Sequence, residues 1–132
     1  MTDKRLSQDV KKFIADHITS LAQLEVLLLL HSRPEKEWTA QEISQELRLS
    51  PTSVAMYLAD LERRGLLAVR EVTELVYWYQ PQKSDFEPTV DNLAQAYPEY
   101  RFTVINLIFS KPLDKIKAFS DSFKFREDKD NG

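Results

Sequence analysis

A chain of 132 residues, 42% hydrophobic and 30% charged, can bury the core of one domain and is too polar to reside in a lipid bilayer. Its longest uninterrupted apolar run is residues 26–30, whereas a membrane span needs about 20 residues. The first ten residues contain no apolar segment of the kind found in signal peptides, and the chain has no cysteine. We therefore expect a cytoplasmic protein without disulfides or thiol chemistry.

The charge balance is slightly acidic, because 18 lysines and arginines stand against 21 aspartates and glutamates. The resulting net charge of −3 is not typical of a strongly basic nucleic-acid-binding protein. Only two glycines occur, Gly65 and Gly132, which excludes a glycine-rich loop that cradles a phosphate.

Two helices are predicted in the first quarter of the chain. Residues 5–18 carry apolar side chains at helical spacing with charged ones opposite, which predicts an amphipathic helix. Ser20 and Gln23 fit a capping box at the start of a second helix. That helix is apolar nearly all round, so we expect it to lie in the centre of the core, and Pro34 ends it.

Trp38 is predicted to form a short strand of one or two residues. Thr39 and Glu42 fit a second capping box, which opens a helix over residues 40–47. Residues 48–50 form a turn before the next helix.

That next helix is predicted over residues 51–64, with Ser50 as its cap and Pro51 in first position, where a missing N–H costs nothing. Gly65 supplies a left-handed stop. Three apolar side chains share the inward face of this helix: Val54, Leu58 and Leu61.

Residues 66–71 and 75–80 are rich in β-forming side chains, and residues 72–74 join them as a hairpin. Pro81 ends the second strand. Residues 82–89 contain a proline and several charges and are predicted to be a loop.

The rest of the chain is predicted to be helical. Residues 91–109 show helical spacing, with Pro98 kinking or dividing the helix, and Pro112 opens a further amphipathic helix. We predict one domain over residues 1–132 with three parts in chain order: an N-terminal helix (5–18), a central core (20–81) and C-terminal helices (90–126).

The order of these elements is that of a helix-turn-helix followed by a β-hairpin. Three stretches carry a family resemblance: Thr39-Ala40-Gln41-Glu42-Ile43, Leu49-Ser50-Pro51-Thr52-Ser53-Val54 and Leu61-Glu62-Arg63-Arg64-Gly65-Leu66-Leu67. The chain resembles the winged helix-turn-helix of bacterial regulators in the MarR- and ArsR-like groups. The expected fold is mostly α (α+β), with a β-hairpin wing, one extra N-terminal helix and about two C-terminal helices.

The resemblance implies a transcriptional regulator that binds double-stranded DNA, with residues 51–64 as the recognition helix in the major groove. The DNA-binding residues that it implies lie on this helix and in the wing: Thr52, Ser53, Met56, Tyr57, Arg63, Arg64 and Thr73.

Most of these side chains also have a purely structural interpretation. Thr52 and Ser53 can solvate the start of the helix, and Tyr57 can pack against the wing or a partner chain. Arg63 and Arg64 lie at the C-terminal end of the helix, where a cation complements the helix dipole.

Charge argues against strong DNA binding by one chain. Residues 38–80 contain four arginines and six carboxylates, which gives this module a net charge of −2. DNA affinity depends mainly on neutralised phosphates, so we expect weak binding unless a dimer doubles the positive charge. The alternative function is a winged helix that binds another protein and not DNA.

Apolar stripes in the helices at both ends of the chain exceed what the central module can cover. This predicts a homodimer whose interface is formed by the N- and C-terminal helices.

Catalysis and metal binding find no support in the sequence. His17 and His31 have no cysteine or carboxylate at ligand spacing, and no serine lies in a nucleophile motif. We therefore predict a protein that is not an enzyme and has neither a cofactor nor a metal site.

Overall fold

The computed structural model describes residues 6–110, which form six helices and one two-stranded antiparallel sheet. In chain order the elements are α1 (Gln8–His17), α2 (Leu21–Ser32), α3 (Ala40–Leu47), α4 (Pro51–Arg63), β1 (Leu67–Glu71), β2 (Leu75–Tyr79), α5 (Phe86–Ala96) and α6 (Arg101–Ser110). The mostly α fold with a hairpin wing is confirmed. The helix predicted from Pro112 lies outside the described residues.

The start of α2 differs in detail from the predicted capping box. The Ser20 hydroxyl accepts the backbone N–H of Gln23 at 3.1 Å, as expected. The Gln23 side chain, however, does not return to Ser20: its oxygen accepts the N–H of Thr19 at 2.7 Å, and its nitrogen donates to Asp60 on α4 at 2.6 Å. Half of the capping box is therefore replaced by bonds to other parts of the chain.

The helix-turn-helix consists of α3, a short turn and α4. The capping box at α3 is complete, because Thr39 Oγ1 accepts the N–H of Glu42 at 3.1 Å and Glu42 Oε1 accepts the N–H of Thr39 at 3.0 Å. Arg48 takes the left-handed conformation, with a φ of 60°. Ser44 then fixes the turn by donating its hydroxyl to the carbonyl oxygen of Leu49 at 2.5 Å.

Both ends of α4 form as predicted. Ser50 caps the helix, and Pro51 is its first residue. Gly65 follows with a φ of 86°, a value that favours glycine because it has no Cβ. The N–H of Leu66 donates to the carbonyl oxygen of Leu61 at 3.0 Å, which is the long bond of a Schellman motif.

The wing is the antiparallel pair β1 and β2, with Val69 opposite Tyr77 at its centre. Trp38 forms the predicted short strand as a single bridge to Tyr77, and the N–H···O distance is 2.8 Å in both directions. This bridge joins the segment before α3 to the wing.

The prediction of a loop over residues 82–89 is wrong, because α5 begins at Phe86 and contains Pro88. A proline in the first turn of a helix costs no hydrogen bond, since the N–H groups there have no intrahelical partner. Phe86 is buried and meets the Phe13 ring edge-on at a centroid distance of 5.9 Å. Pro98 lies between α5 and α6, so it divides the helical pattern.

Helix α2 lies at the centre of the fold and packs against α3, α4, α5 and β2. Its most deeply buried apolar side chains are Leu24, Val26, Leu27 and Leu30. Helix α1 packs against α5 and α6, so the N- and C-terminal helices adjoin one another.

In the described part of the chain, no single helix is long and apolar enough to cross a membrane. Only α1 and α2 taken together reach the required length, and this pair is bent by 116°.

Candidate nucleic-acid interface

Helix α4 has one fully buried face and one accessible face. Three side chains with no solvent exposure form the buried face: Val54, Leu58 and Leu61. Burying each of them contributes about 1.5–3 kcal/mol, so the helix is fixed in its rotation about its own axis. On the opposite face Thr52 and Arg63 are exposed, and Met56 is 66% exposed.

Ser53 and Tyr57 are half-buried at the edges of the accessible face. The Ser53 hydroxyl accepts a hydrogen bond from Ser50 at 2.9 Å, so it takes part in capping the helix. Tyr57 packs against the core and lines an open groove of about 450 Å³ together with Met56 and Thr19. Ser53 thus caps the helix and Tyr57 packs against the core, while both side chains remain partly accessible to a ligand.

Asp60 accepts hydrogen bonds from three side chains, and its own side chain is only 17% exposed. Its Oδ2 accepts from Gln23 Nε2 at 2.6 Å and from Arg64 Nε at 2.7 Å. Its Oδ1 accepts from Arg63 Nη2. Both arginines of α4 are therefore paired with one carboxylate of the same helix.

The pKa of Asp60 reflects a balance of two opposing effects. Burial raises the pKa, because it disfavours the charged carboxylate. The hydrogen bonds from Arg64 and Gln23, together with the positive charges of Arg64 and Arg63, act in the opposite direction and prevail. The pKa is therefore held below its ordinary value of 3.8, and Asp60 is ionised at neutral pH.

Arg64 also reaches beyond its own helix, since its Nη1 donates to the backbone carbonyl oxygen of Asp16 in the last turn of α1 at 2.9 Å. A cation at this point complements the C-terminal end of α1. The Arg64 side chain is 25% exposed, whereas that of Arg63 is 72% exposed. The two neighbouring arginines thus have different surroundings.

In the wing, Thr73 is exposed and adjoins Val72, which is 59% exposed. Arg70, on β1, is paired with Glu37 at 2.7 Å between Nη2 and Oε1. Three of the four arginines of residues 38–80 therefore have carboxylate partners, and the fourth, Arg48, is exposed in the turn before α4.

Comparison with known proteins identifies the segment that carries this geometry. The sequence model of the MarR family matches residues 19–74, from the start of α2 to the end of the wing turn. Residues 19–74 are thus similar to the MarR family, and they are called the MarR-family segment below after the model that they match. No curated protein gives a significant match to the chain.

Solved structures of the same fold cover most of the chain, including the helices that flank the MarR-family segment. BpsR from Bordetella bronchiseptica, whose DNA binding is regulated by 6-hydroxynicotinic acid, is 15% identical, with a TM-score of 0.54 over 90% of this chain and 83% of BpsR. A mutant of S. aureus MepR bound to an oligodeoxyribonucleotide is also 15% identical, with a TM-score of 0.53 over 88% of this chain and 85% of MepR. Sco5413, a MarR family transcriptional regulator from Streptomyces coelicolor, is 19% identical, with a TM-score of 0.53 over 90% of this chain and 80% of its own. At these identities the likeness concerns the fold.

The two histidines lie where the flanking helices meet other elements. His31 Nε2 lies 2.7 Å from Asp91 Oδ1, which links α2 of the MarR-family segment to α5. The His17 ring lies 5.2 Å from the rings of Phe13 and Phe86. Among residues 6–110 no cluster of three or more histidines and carboxylates is placed to hold a metal ion.

Proposed function

We propose that the protein is a DNA-binding transcriptional regulator that acts as a homodimer and inserts α4 into the major groove. The observation that carries this proposal is the division of α4 into an apolar face anchored by fully buried side chains and a face open to a ligand. The fold shared with BpsR, which binds DNA, and with MepR, which was bound to an oligodeoxyribonucleotide, supports it.

The proposed contact surface consists of the accessible side chains of α4 and the tip of the wing: Thr52, Ser53, Met56, Tyr57, Arg63 and Thr73. Thr52 and Ser53, in the first turn, can donate to phosphate or to a base edge. Met56 can contact a thymine methyl group, and Arg63 can exchange Asp60 for a phosphate because most of its side chain is in solvent. Arg64, which the family resemblance also implies as a DNA contact, lies beside this surface, and its side chain is paired with Asp60.

The acidic module makes dimerisation a requirement of this proposal. With only four arginines in residues 38–80, one chain neutralises few phosphates, whereas two chains double the number of contacts. A symmetric dimer also places two recognition helices on successive turns of one face of the duplex.

We propose that the dimer interface involves α1 and α6. On α6, Phe102 is 82% exposed and Phe109 is 73% exposed, and their separation of seven residues places both on one side of the helix. Two exposed phenylalanines on one side of a helix are costly to hydrate. If two copies pack through this face, the phenylalanines of each copy are covered by the other.

This function requires neither catalysis nor a cofactor. It also places the protein in the cytoplasm, because the chromosome of a bacterium lies there.

Selection of duplexes from a randomised DNA pool by the purified protein tests the proposal. We expect enrichment of a palindromic sequence whose half-sites lie about one helical turn apart. A pool that stays random through repeated rounds contradicts DNA binding and favours the alternative, a winged helix that binds protein.

A further inference from the structure

A hydrogen-bonded network, here called the clamp, joins α4 to α1 and to the start of α2. It consists of the Thr19, Gln23, Asp60 and Arg64 side chains, with the backbone N–H of Thr19 and the backbone carbonyl of Asp16. Gln23 is bonded twice to Thr19, because its Oε1 accepts from the Thr19 N–H at 2.7 Å and from the Thr19 hydroxyl at 3.0 Å.

Two bonds of the clamp cross from α4 to other elements. Gln23 Nε2 of α2 donates to Asp60 at 2.6 Å, across 37 residues of chain, and Arg64 donates to the carbonyl of Asp16 in α1 at 2.9 Å, across 48 residues. Bonds between residues so far apart in the sequence constrain how the helices lie relative to one another. The clamp therefore fixes the C-terminal half of α4 against both α1 and α2.

Burial distinguishes the clamp from an ordinary surface ion pair. Gln23 has no solvent exposure, and the side chains of Asp60 and Arg64 are 17% and 25% exposed. Because Gln23 has no contact with solvent, removal of its side chain leaves Thr19 and Asp60 with one hydrogen bond fewer at a buried position. Arg63, at 72% exposure, lies outside this shielded region and can leave Asp60 freely.

We propose that Arg64 and Asp60 are positioning residues that set the orientation of the recognition helix relative to α1, while Arg63 is the arginine that contacts phosphate. The inference rests on the proposed function. Because α1 belongs to the proposed dimer interface, the clamp links the geometry of the dimer to the separation of its two recognition helices.

Salt-dependent affinity for the selected duplex separates positioning from phosphate contact. Affinity falls as salt rises, and each lost phosphate contact makes the slope of log affinity against log salt shallower by about 0.9, measured over roughly 50–200 mM salt. We expect Arg63→Gln to make the slope shallower by about this amount. We expect Arg64→Gln and Arg64→Lys each to weaken binding about tenfold with the slope of the wild type.

Arg64→Lys is the decisive variant, since it keeps the charge but lacks the planar fork that donates to Asp60 and Asp16 together. Wild-type affinity for Arg64→Lys would overturn the proposal, and a shallower slope for Arg64→Gln would overturn it by making Arg64 a phosphate contact. Unchanged binding by both Arg64 variants would overturn it as well.

A double-mutant cycle in urea unfolding tests the clamp without DNA. If Gln23 and Arg64 act through Asp60, the losses of stability from Gln23→Ala and Arg64→Gln are not additive in the double variant. Additive losses overturn the clamp, and Arg64→Lys replaces Arg64→Gln if the latter does not fold. If the wild type binds no duplex, the proposed function is wrong and so is the role of Arg64 and Asp60 in DNA binding. The double-mutant cycle would then still decide whether the clamp couples the helices.

Discussion

Gln23 shows how one polar side chain can hold several elements together. It is completely buried, yet its side-chain oxygen accepts a hydrogen bond from Thr19 and its side-chain nitrogen donates one to Asp60. A buried amide with such partners stabilises the fold mainly by avoiding unsatisfied groups, since its loss leaves the Asp60 carboxylate and the Thr19 N–H short of a partner.

We expect Gln23→Ala to lower the free energy of unfolding by about 1–3 kcal/mol, measured by urea denaturation. The matched control is Gln45→Ala on the exposed surface of α3, which should change stability by less than about 0.5 kcal/mol. Equal effects of the two substitutions would show that the bonds of Gln23 do not contribute.

Asp60 predicts a pH dependence with a definite sign. Because its pKa is lower in the folded state than its ordinary value of 3.8, its ionised form stabilises the fold above that value. The stability advantage of the wild type over Asp60→Asn should therefore be constant near neutral pH and shrink as the pH falls below 3.8. Urea unfolding at several pH values between about 3 and 7 measures it, and an advantage that grows on acidification would contradict this account.

At this scale the sequence allows part of the candidate site to be predicted. Arg63 and Arg64 lie three and four residues after Asp60, which is the spacing of ion pairs on a helix. Both pairings can therefore be predicted from the sequence. The bonds to Gln23 and to the carbonyl of Asp16 cross 37 and 48 residues of chain, and no local pattern encodes them. From the sequence, Asp60 is therefore not singled out, and the clamp is not predicted.

At the level of secondary structure, the ends of a helix can be predicted where capping residues, proline or glycine mark them in the sequence. Thr39 with Glu42, Pro51 and Gly65 each predict a boundary within one residue of the one found. Pro88 misled the prediction because the same residue is typical of both a loop and the first turn of a helix. Burial of Phe86 against Phe13 decides between the two, and this contact is set by the tertiary fold.

Helix α6 carries the prediction for the dimer. Replacing both Phe102 and Phe109 with Glu places like charges on the proposed interface. We expect the wild type to sediment as a dimer at micromolar concentration and this variant to sediment as a monomer. The control adds the same charges to α3 through Gln41→Glu and Gln45→Glu, on exposed positions that should leave the dimer intact. Loss of the dimer in the control, or a dimer in the α6 variant, would contradict the proposed interface.

At the scale of the whole molecule, the acidic charge and the DNA-binding fold need not conflict. Pairing of Arg63, Arg64 and Arg70 with carboxylates reduces the positive field of one chain. In the proposed complex, a dimer would recover affinity by doubling the contacts, and specificity would depend on the uncharged residues of α4, such as Thr52 and Met56. We therefore expect a protein whose binding depends more on base contacts and less on salt than that of a basic regulator.

If the accessible face of α4 contacts DNA, a negative charge placed on it must weaken binding, and the affinity of Met56→Glu for the selected duplex measures this effect. Met56 is 66% exposed, so the substitution should leave the fold intact while placing a negative charge against the groove. The control is Gln95→Glu, which adds the same charge on α5, a helix packed against α1 and α2. Fluorescence anisotropy should show binding weakened at least about tenfold by Met56→Glu and unchanged by Gln95→Glu, whereas equal affinities for all three proteins would show that this face of α4 does not contact DNA.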